Sequence, residues 1–379
     1  MTRRLYEEDA HIRSFTARVT RCVPEGTAWL VTLDATAFFP EGGGQTGDTG
    51  TLDGITVTDT QMVSGDILHR CSAPLEEGRD VRGELDWEQR FSRMQQHTGE
   101  HIISGLVHAL TGFDNVGFHM GADCTTVDFS GPLTREQTAE VAAMANRIVW
   151  ENRPIRAWYP APETLSGLPY RSKKAIDGPL RLVEIQGVDL CACCAPHVAY
   201  TGEIGPIVIL GQERLHGGTR LQLLCGGAAM GYLTAVQQQN REISALLSAK
   251  PLETAAAVTR LQEELGEKKQ QMAQNARFLQ KILAERYRDA GDVMLFLESG
   301  DAGKTAEAVA AACGGVCRVF VPQGDGFRYA MAQVGGELSA ACRELHAALG
   351  GKGGGRGGLV QGSLPAARRE IEAYFGRES

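Results

Sequence analysis

Two short segments, far apart in the chain, carry residue types that bind metal. The first is His-x-x-x-His, in Gln95-Gln96-His97-Thr98-Gly99-Glu100-His101, and the second is Cys-x-x-x-His, in Cys193-Cys194-Ala195-Pro196-His197. On a helix, positions four apart stand one above the other, so His97 and His101 can aim two ring nitrogens at one ion. Cys193 and His197 add a thiolate and a third imidazole. Neither pair suffices alone, because a divalent ion takes about four ligands. Together they make a mixed nitrogen and sulfur set, which suits Zn²⁺ better than a hard cation. The first segment also reads as H-x-x-E-H, a metallopeptidase pattern in which Glu100 would be the general base. That class takes a downstream carboxylate as its third ligand, whereas the downstream candidate here is a cysteine–histidine pair.

Two glycine-rich stretches come next. In Phe38-Phe39-Pro40-Glu41-Gly42-Gly43-Gly44-Gln45, successive glycines let the backbone approach a ligand closely and turn N–H groups toward an anion. A simple hairpin turn needs fewer. The run from Gly350 to Gly362 includes Gly353, Gly354 and Gly355, flanked by Lys352 and Arg356. It lies between two predicted helices, Leu338 to Leu349 and Pro365 to Phe375, where a floppy linker has no use. Its amides and two cations are suited to gripping a phosphate backbone. Gly303-Lys304-Thr305 mimics a P-loop, but Glu298 stands where the first glycine belongs and would repel phosphate.

The elements that must position these residues change character along the chain. Its 379 residues imply two to four domains. From residue 12 to 87, β-branched and aromatic stretches such as Ser14 to Val19 and Thr27 to Leu33 predict a compact β-barrel. From 88 to 110 the spacing is helical, with Met94, Ile102, Ile103 and Leu106 for a buried face. An α+β unit follows, with a helix from Glu140 to Glu151 and strands at Leu182 to Ile185 and Ile204 to Leu210. From Ala228 to Ala290 the chain is rich in Gln, Glu, Lys, Ala and Leu and is divided by Pro251. Val258, Leu261, Leu265, Met272, Ala276, Leu279 and Leu283 follow a broken heptad. This predicts a helical hairpin or coiled coil, packed on itself or pairing two chains as a homodimer. From Asp292, alternating strands and helices predict a small α/β domain.

Composition narrows the class. Hydrophobic content of 43% and charged content of 22% are those of a soluble globular protein. The net charge of −8 argues against a generic polyanion binder, so any RNA contact must use local basic patches. No apolar run reaches the roughly 18 residues that a membrane helix needs. The start of the chain turns acidic before any apolar core, unlike a signal peptide. Three of the ten cysteines fall in Cys191-Ala192-Cys193-Cys194, which reads as reduced thiols near a metal in a cytoplasmic protein.

The order of the motifs resembles that of one family. The glycine cluster ending at Gln45, the His97/His101 segment, Cys193 to His197 continuing through Thr201-Gly202-Glu203-Ile204-Gly205, and the terminal glycine run are similar to those of the alanyl-tRNA editing proteins. These are free-standing relatives of the editing domain of alanyl-tRNA synthetase. The hairpin and glycine-rich C-terminal part resemble the long form, AlaX-L. The resemblance implies that His97, His101, Cys193 and His197 bind zinc. It implies an enzyme, an aminoacyl-tRNA deacylase that hydrolyses the ester joining serine, and sometimes glycine, to the tRNA for alanine. The C-terminal part resembles the DHH-associated domain that helps the synthetase hold tRNA, with Lys352, Arg356 and Gly353 to Gly355 in contact. The chain begins only a few residues before the barrel, so no aminoacylation segment precedes it, and correction of charging is implied instead.

The resemblance also shows departures. Cys194, Ala195 and Pro196 stand where the family has Gly-Gly-Thr, and Cys191 and Cys194 could compete with Cys193 for the ion. Four protein ligands leave no open position for water, so either one ligand is labile or the zinc orders the pocket and the substrate's amino group. Val116 to Gly121 and Thr125 to Phe129 correspond to the family's strand pair beside the pocket, which puts His119 there. His119, Glu100 and Gln45 form the candidate catalytic set. The expected architecture is multidomain α+β: a barrel at 1–90, a zinc-containing editing core at 91–228, a helical hairpin at 229–290 and a tRNA-binding domain at 291–379. A tRNA-binding module without hydrolysis is the non-enzymatic alternative.

Overall fold

The β-rich start of the chain closes on itself. In the computed structural model, which describes residues 2–165, 167–172 and 180–376, six strands are β1 (Ser14–Glu25), β2 (Ala28–Leu33), β3 (Gly50–Leu52), β4 (Ile55–Val63), β5 (Asp66–Cys71) and β6 (Asp80–Leu85). They form a closed barrel in the order β1-β2-β5-β4-β3-β6. Alternation along the strands sends Val19, Val31, Leu33, Leu52, Val57 and Val81 to the inside, where each is buried.

Helix α1 (Trp87–Thr111) follows directly. The Asp86 side chain caps it by accepting from the Gln89 N–H, and Gly112 ends it in a left-handed conformation. Met94, Ile102, Ile103 and Leu106 are buried, as the helical spacing predicts. Arg90 ties the helix to the barrel: its guanidinium donates to Asp48 and to the carbonyls of Ala10 (3.1 Å) and Ala37 (2.5 Å). Both members of this ion pair are almost fully buried.

Two sheets pack around α1. One takes the order β12-β13-β8-β7 and is built from β7 (Asn115–Met120), β8 (Thr125–Phe129), β12 (Ile207–Leu215) and β13 (Gly218–Cys225). The other is the antiparallel set β9 (Ile155–Trp158), β10 (Leu182–Ile185) and β11 (Asp189–Ala192). Helix α2 (Arg135–Trp150) starts at a capping box between Thr134 and Gln137 and packs on α1. The strand predicted from Ile204 begins only at Ile207, because Thr201–Ile204 forms a 3₁₀ turn closed at Gly205.

The helix-rich segment forms α3 (Gly226–Leu246) and α4 (Thr254–Arg286), with the break around Pro251. On α4, Val258, Leu261, Leu265, Met272 and Leu279 are each at least 40% exposed. The rest is a five-stranded sheet, order β14-β15-β16-β18-β17. Its strands are β14 (Gly291–Phe296), β15 (Gly314–Gln323), β16 (Gly326–Ala332), β17 (Lys352–Arg356) and β18 (Leu359–Leu364), and its helices are α5 (Ala302–Cys313), α6 (Ser339–Leu349) and α7 (Arg368–Phe375).

The glycine run between two helices is an edge hairpin, β17 paired antiparallel with β18. Glycine is required there by close approach: a Cβ on Gly355 would lie 2.1 Å from the Leu359 carbonyl oxygen, and one on Gly362 would lie 2.2 Å from that of Lys352. The chain is thus mixed α+β in two compact units, 1–240 and 241–379. Among the described residues no helix is long and apolar enough to cross a membrane.

Candidate metal centre

The two half-sites meet. His97, His101, Cys193 and His197 offer donor atoms that all lie within 4.8 Å of one another. Helix α1 supplies the first pair, one turn apart, with ring centroids 5.5 Å from each other. His197 brings its ring to 4.9 Å from that of His97 and 4.7 Å from that of His101. The Cys193 sulfur lies 3.6 Å from His97 Nε2 and 3.4 Å from His197 Nε2.

The Cys193–His197 segment is irregular, so its shape must come from its neighbours. Arg181 donates to the carbonyls of Cys193 and Ala195, both at 3.0 Å. Ala195 is buried in a small apolar cluster with Tyr6, Phe39 and Ile67. These contacts fix the thiol of Cys193 and the ring of His197 on one side of the loop. Cys194 is exposed, and Cys191 is buried beside Asp189 and His101.

Each of the three imidazoles has its Nδ1 engaged. Gln45 Oε1 is 3.1 Å from His97 Nδ1, and Asp189 Oδ2 is 3.0 Å from His101 Nδ1. Thr98 Oγ1 is 3.0 Å from His197 Nδ1. The Thr98 hydroxyl donates its own proton to the Met94 carbonyl at 2.7 Å, so it can only accept from His197. All three acceptors therefore take a hydrogen bond from Nδ1–H and leave each Nε2 directed toward the thiol. A donor set of three such nitrogens and one sulfur fits zinc.

The electrostatics agree. Burial alone would raise the Cys193 thiol, but the surrounding imidazoles of His97, His197 and His101 outweigh it and hold its pKa well below the usual thiol value. Burial would likewise lower His101, but hydrogen bonds to Asp189 and Cys193 hold it well above an ordinary imidazole. Burial dominates at His197 and pushes it down to about 3, which keeps that ring neutral. Burial also raises Cys191 and Cys194, so Cys193 is the thiol of the three that most readily ionises.

The other candidates fall in different places. Gln45 is at the centre, almost fully buried, and its Nε2 has no hydrogen-bond partner among the described residues. It is presented by a tight turn in which Gly42 and Gln45 exchange backbone hydrogen bonds. Gly44 sits at φ +83°, and a Cβ there would lie 2.7 Å from the Phe118 carbonyl. Phe118, rather than His119, is the β7 residue against His97, with ring centroids 4.8 Å apart. Neighbouring strand residues face opposite ways, so His119 is exposed on the other face. Glu100 is buried, and its carboxylate accepts from Ser104 Oγ at 2.5 Å and from Asn115 Nδ2. Lys352, Arg356 and Gly353 to Gly355 lie together, exposed, on β17 in the other unit. Sequence reasoning missed Thr98, Asp189 and Arg181, of which Asp189, a lone carboxylate four residues before Cys193, carries a signal; Phe118 lies in the stretch that the resemblance sets beside the pocket, where the sequence reading singles out His119 instead.

Comparison with known proteins places this arrangement. Residues 180–221 match the family described as the threonyl and alanyl tRNA synthetase second additional domain, a stretch that contains Cys193 and His197. Residues 6–89, the barrel, match the family described as class II (A) tRNA synthetases. The alanine–tRNA ligase of Thermococcus kodakarensis is 32% identical over 77% of this chain and 34% of its own length. The alanyl-tRNA editing protein Aarsd1 of Danio rerio is 28% identical over 98% of this chain and 97% of its own. Aarsd1 of Mus musculus is 29% identical over 68% of this chain and 67% of its own. Thus the chain spans about a third of the length of that ligase but nearly all of the Danio rerio protein. The C-Ala domain of Aquifex aeolicus alanyl-tRNA synthetase aligns with 23% of the chain at 20% identity and a TM-score of 0.20, too slight a likeness to carry weight. With one match over the barrel, another over the Cys193–His197 segment and a relative aligned with 98% of its length, the chain is similar to the alanyl-tRNA editing proteins and, over part of their length, to the alanine–tRNA ligases.

Proposed function

We propose that the chain is a zinc-containing hydrolase that removes serine, and as a second substrate glycine, from mischarged tRNA for alanine in the cytoplasm. One observation carries the reading. Two segments distant in sequence bring three imidazoles, each held at Nδ1, and a thiol together within 4.8 Å, in a chain related to alanyl-tRNA editing proteins.

His97, His101, Cys193 and His197 would hold the ion. Zinc there would act as a Lewis acid toward a substrate oxygen, a water or the substrate's amino group. Gln45 holds His97 through Oε1 and turns its unpartnered Nε2–H donor to the substrate. A hydrophobic pocket rejects an added hydroxyl only weakly, so a synthetase needs a second site that recognises it by hydrogen bonding. The buried Gln45 amide is suited to that recognition. The Glu100 carboxylate, held by Ser104 and Asn115, acts as a strut between α1 and β7, which disfavours the peptidase reading.

Lys352, Arg356 and the glycines of β17 would contact the tRNA backbone. The exposed apolar stripe of α4 would pair two copies. Light scattering should then give twice the 40.8 kDa of one chain, and Leu265→Lys should return it to one.

The deciding experiment incubates purified protein with Ser-tRNA for alanine. Release of serine is expected, and it should be lost in Cys193→Ala together with the zinc. Binding without release would make the chain a tRNA-binding module and would overturn the enzymatic reading.

A further inference from the structure

We infer that Asp189 is a positioning residue of the metal centre, the anionic partner that fixes the ring of His101 and strengthens it as a ligand. This rests on the zinc reading above.

The three histidines are not held alike. His97 meets a neutral amide and His197 a neutral hydroxyl, whereas His101 meets a carboxylate at 3.0 Å. An anion on Nδ1–H makes Nε2 a stronger donor than a neutral acceptor does. Asp189 is itself braced: its Oδ1 accepts from Arg171 Nε at 2.8 Å. Its side chain is 1% exposed and that of His101 is 4% exposed. A carboxylate so buried is costly without a counter-charge, and Arg171 supplies one. The Arg171 backbone is laid along β11, donating to the Leu190 carbonyl at 2.8 Å and accepting from Ala192 N–H at 2.9 Å.

The helix is cut to admit this partner. Gly105 stands one turn after His101 on the same stripe of α1. A Cβ on Gly105 would lie 2.5 Å from the Val188 carbonyl oxygen and 3.0 Å from Asp189 Cβ. The missing side chain lets the start of β11 approach α1 closely enough for the carboxylate to reach His101. At the other end of that turn Gly187, at φ +69°, reverses the chain from β10.

A rival reading uses the same atoms. His101, Asp189 and Cys191 also lie within 4.8 Å of one another and could hold a second ion. The Asp189 oxygens, however, already face His101 and a guanidinium, which would repel a second cation.

The test compares the wild-type chain, the charge-neutral double variant Asp189→Asn/Arg171→Gln, and Val57→Ala, a truncation in the barrel core. Zinc stoichiometry, zinc affinity by chelator competition and the absorption of the cobalt-loaded protein are measured well below the melting temperature. We expect one ion per wild-type chain. The double variant should bind it about 10- to 100-fold more weakly, keeping the thiolate-to-cobalt band but shifting the d–d bands. Val57→Ala should bind as the wild type does. Wild-type affinity in the double variant, or an equal loss in Val57→Ala, would overturn the inference. Two ions in the wild type, one of them lost with Asp189, would make Asp189 a ligand instead. Should the double variant not fold, long-range ¹H–¹⁵N spectra of the zinc-loaded wild type decide the matter. A proton on His101 Nδ1, furthest downfield of the three histidines, is expected, and one on Nε2 refutes the inference. A wild-type chain that binds no zinc overturns the metal reading as well, whereas zinc binding without serine release leaves this inference standing.

Discussion

Gln45 does two jobs with one amide. Its oxygen holds His97, and its nitrogen is a buried donor without a partner among the described residues. Such a donor costs about 1–3 kcal/mol, which a substrate oxygen accepting from it would recover. Gln45→Glu separates the two jobs, since a carboxylate still accepts from His97 but no longer donates. Zinc content should be kept while kcat/KM for Ser-tRNA falls about ten- to a hundredfold. Unchanged kcat/KM would mean that the substrate does not use this donor. His69, inside the barrel, makes a different kind of residue-level prediction. Its ring lies between the Val31 carbonyl (2.9 Å) and Thr36 Oγ1 (2.8 Å), and burial pushes its pKa down to about 4. The unfolded value is about 6.5, so between these two the unfolded chain binds more protons. The stability contributed by the neutral ring is whole above about pH 6.5 and is lost as the pH falls toward about 4. The total is about 3 kcal/mol. Urea unfolding of the N-terminal unit near neutral pH and again at about pH 4.5 should show this loss, and His69→Gln should flatten it. A parallel fall in both proteins would assign the acid sensitivity to other groups.

At the level of elements, the same substitution should have opposite signs in two helices. Gly105 in α1 faces the Val188 backbone, which cannot swing aside, so Gly105→Ala should destabilise its unit by about 1–3 kcal/mol and weaken zinc binding. Gly266 lies within α4 with open space for 4 Å around the point where a methyl would stand, so Gly266→Ala should stabilise its helix by about 0.5–1 kcal/mol. Thermal melts of the two variants read both signs, and a stabilising Gly105→Ala would remove the argument that this notch admits β11. The contrast also shows what a sequence reveals. The pairing of His97 with His101 is legible because helical spacing is local, and Met94, Ile102 and Ile103 confirm the face they leave open. Partners such as Asp189 for His101 and Gln45 for His97 come from other elements, where no local period points to them. The hairpin in the glycine run is illegible for the opposite reason. Local propensity disfavours glycine in strands, but the tight contact of β17 with β18 admits nothing larger at Gly355 and Gly362.

For the whole molecule the question is how a chain of net charge −8 would bind the proposed tRNA. Its overall field repels a polyanion, so affinity must come from cations placed where the backbone is bare. The edge strand β17 is such a place: Lys352 and Arg356 are exposed at its two ends, with three exposed glycines between them. Lys352→Glu/Arg356→Glu should weaken binding of tRNA for alanine by at least about tenfold near physiological salt. It should also reduce the slope of log K against log salt by roughly 1.5–2, the share of two phosphate contacts. Zinc content should not change, because the metal centre lies in the other unit. Serine release from a short aminoacyl ester that lacks the tRNA body should also persist. A variant that keeps both its affinity and its salt slope would place the RNA contact elsewhere. One that loses hydrolysis of the short ester as well would show that the two units do not divide binding and chemistry between them.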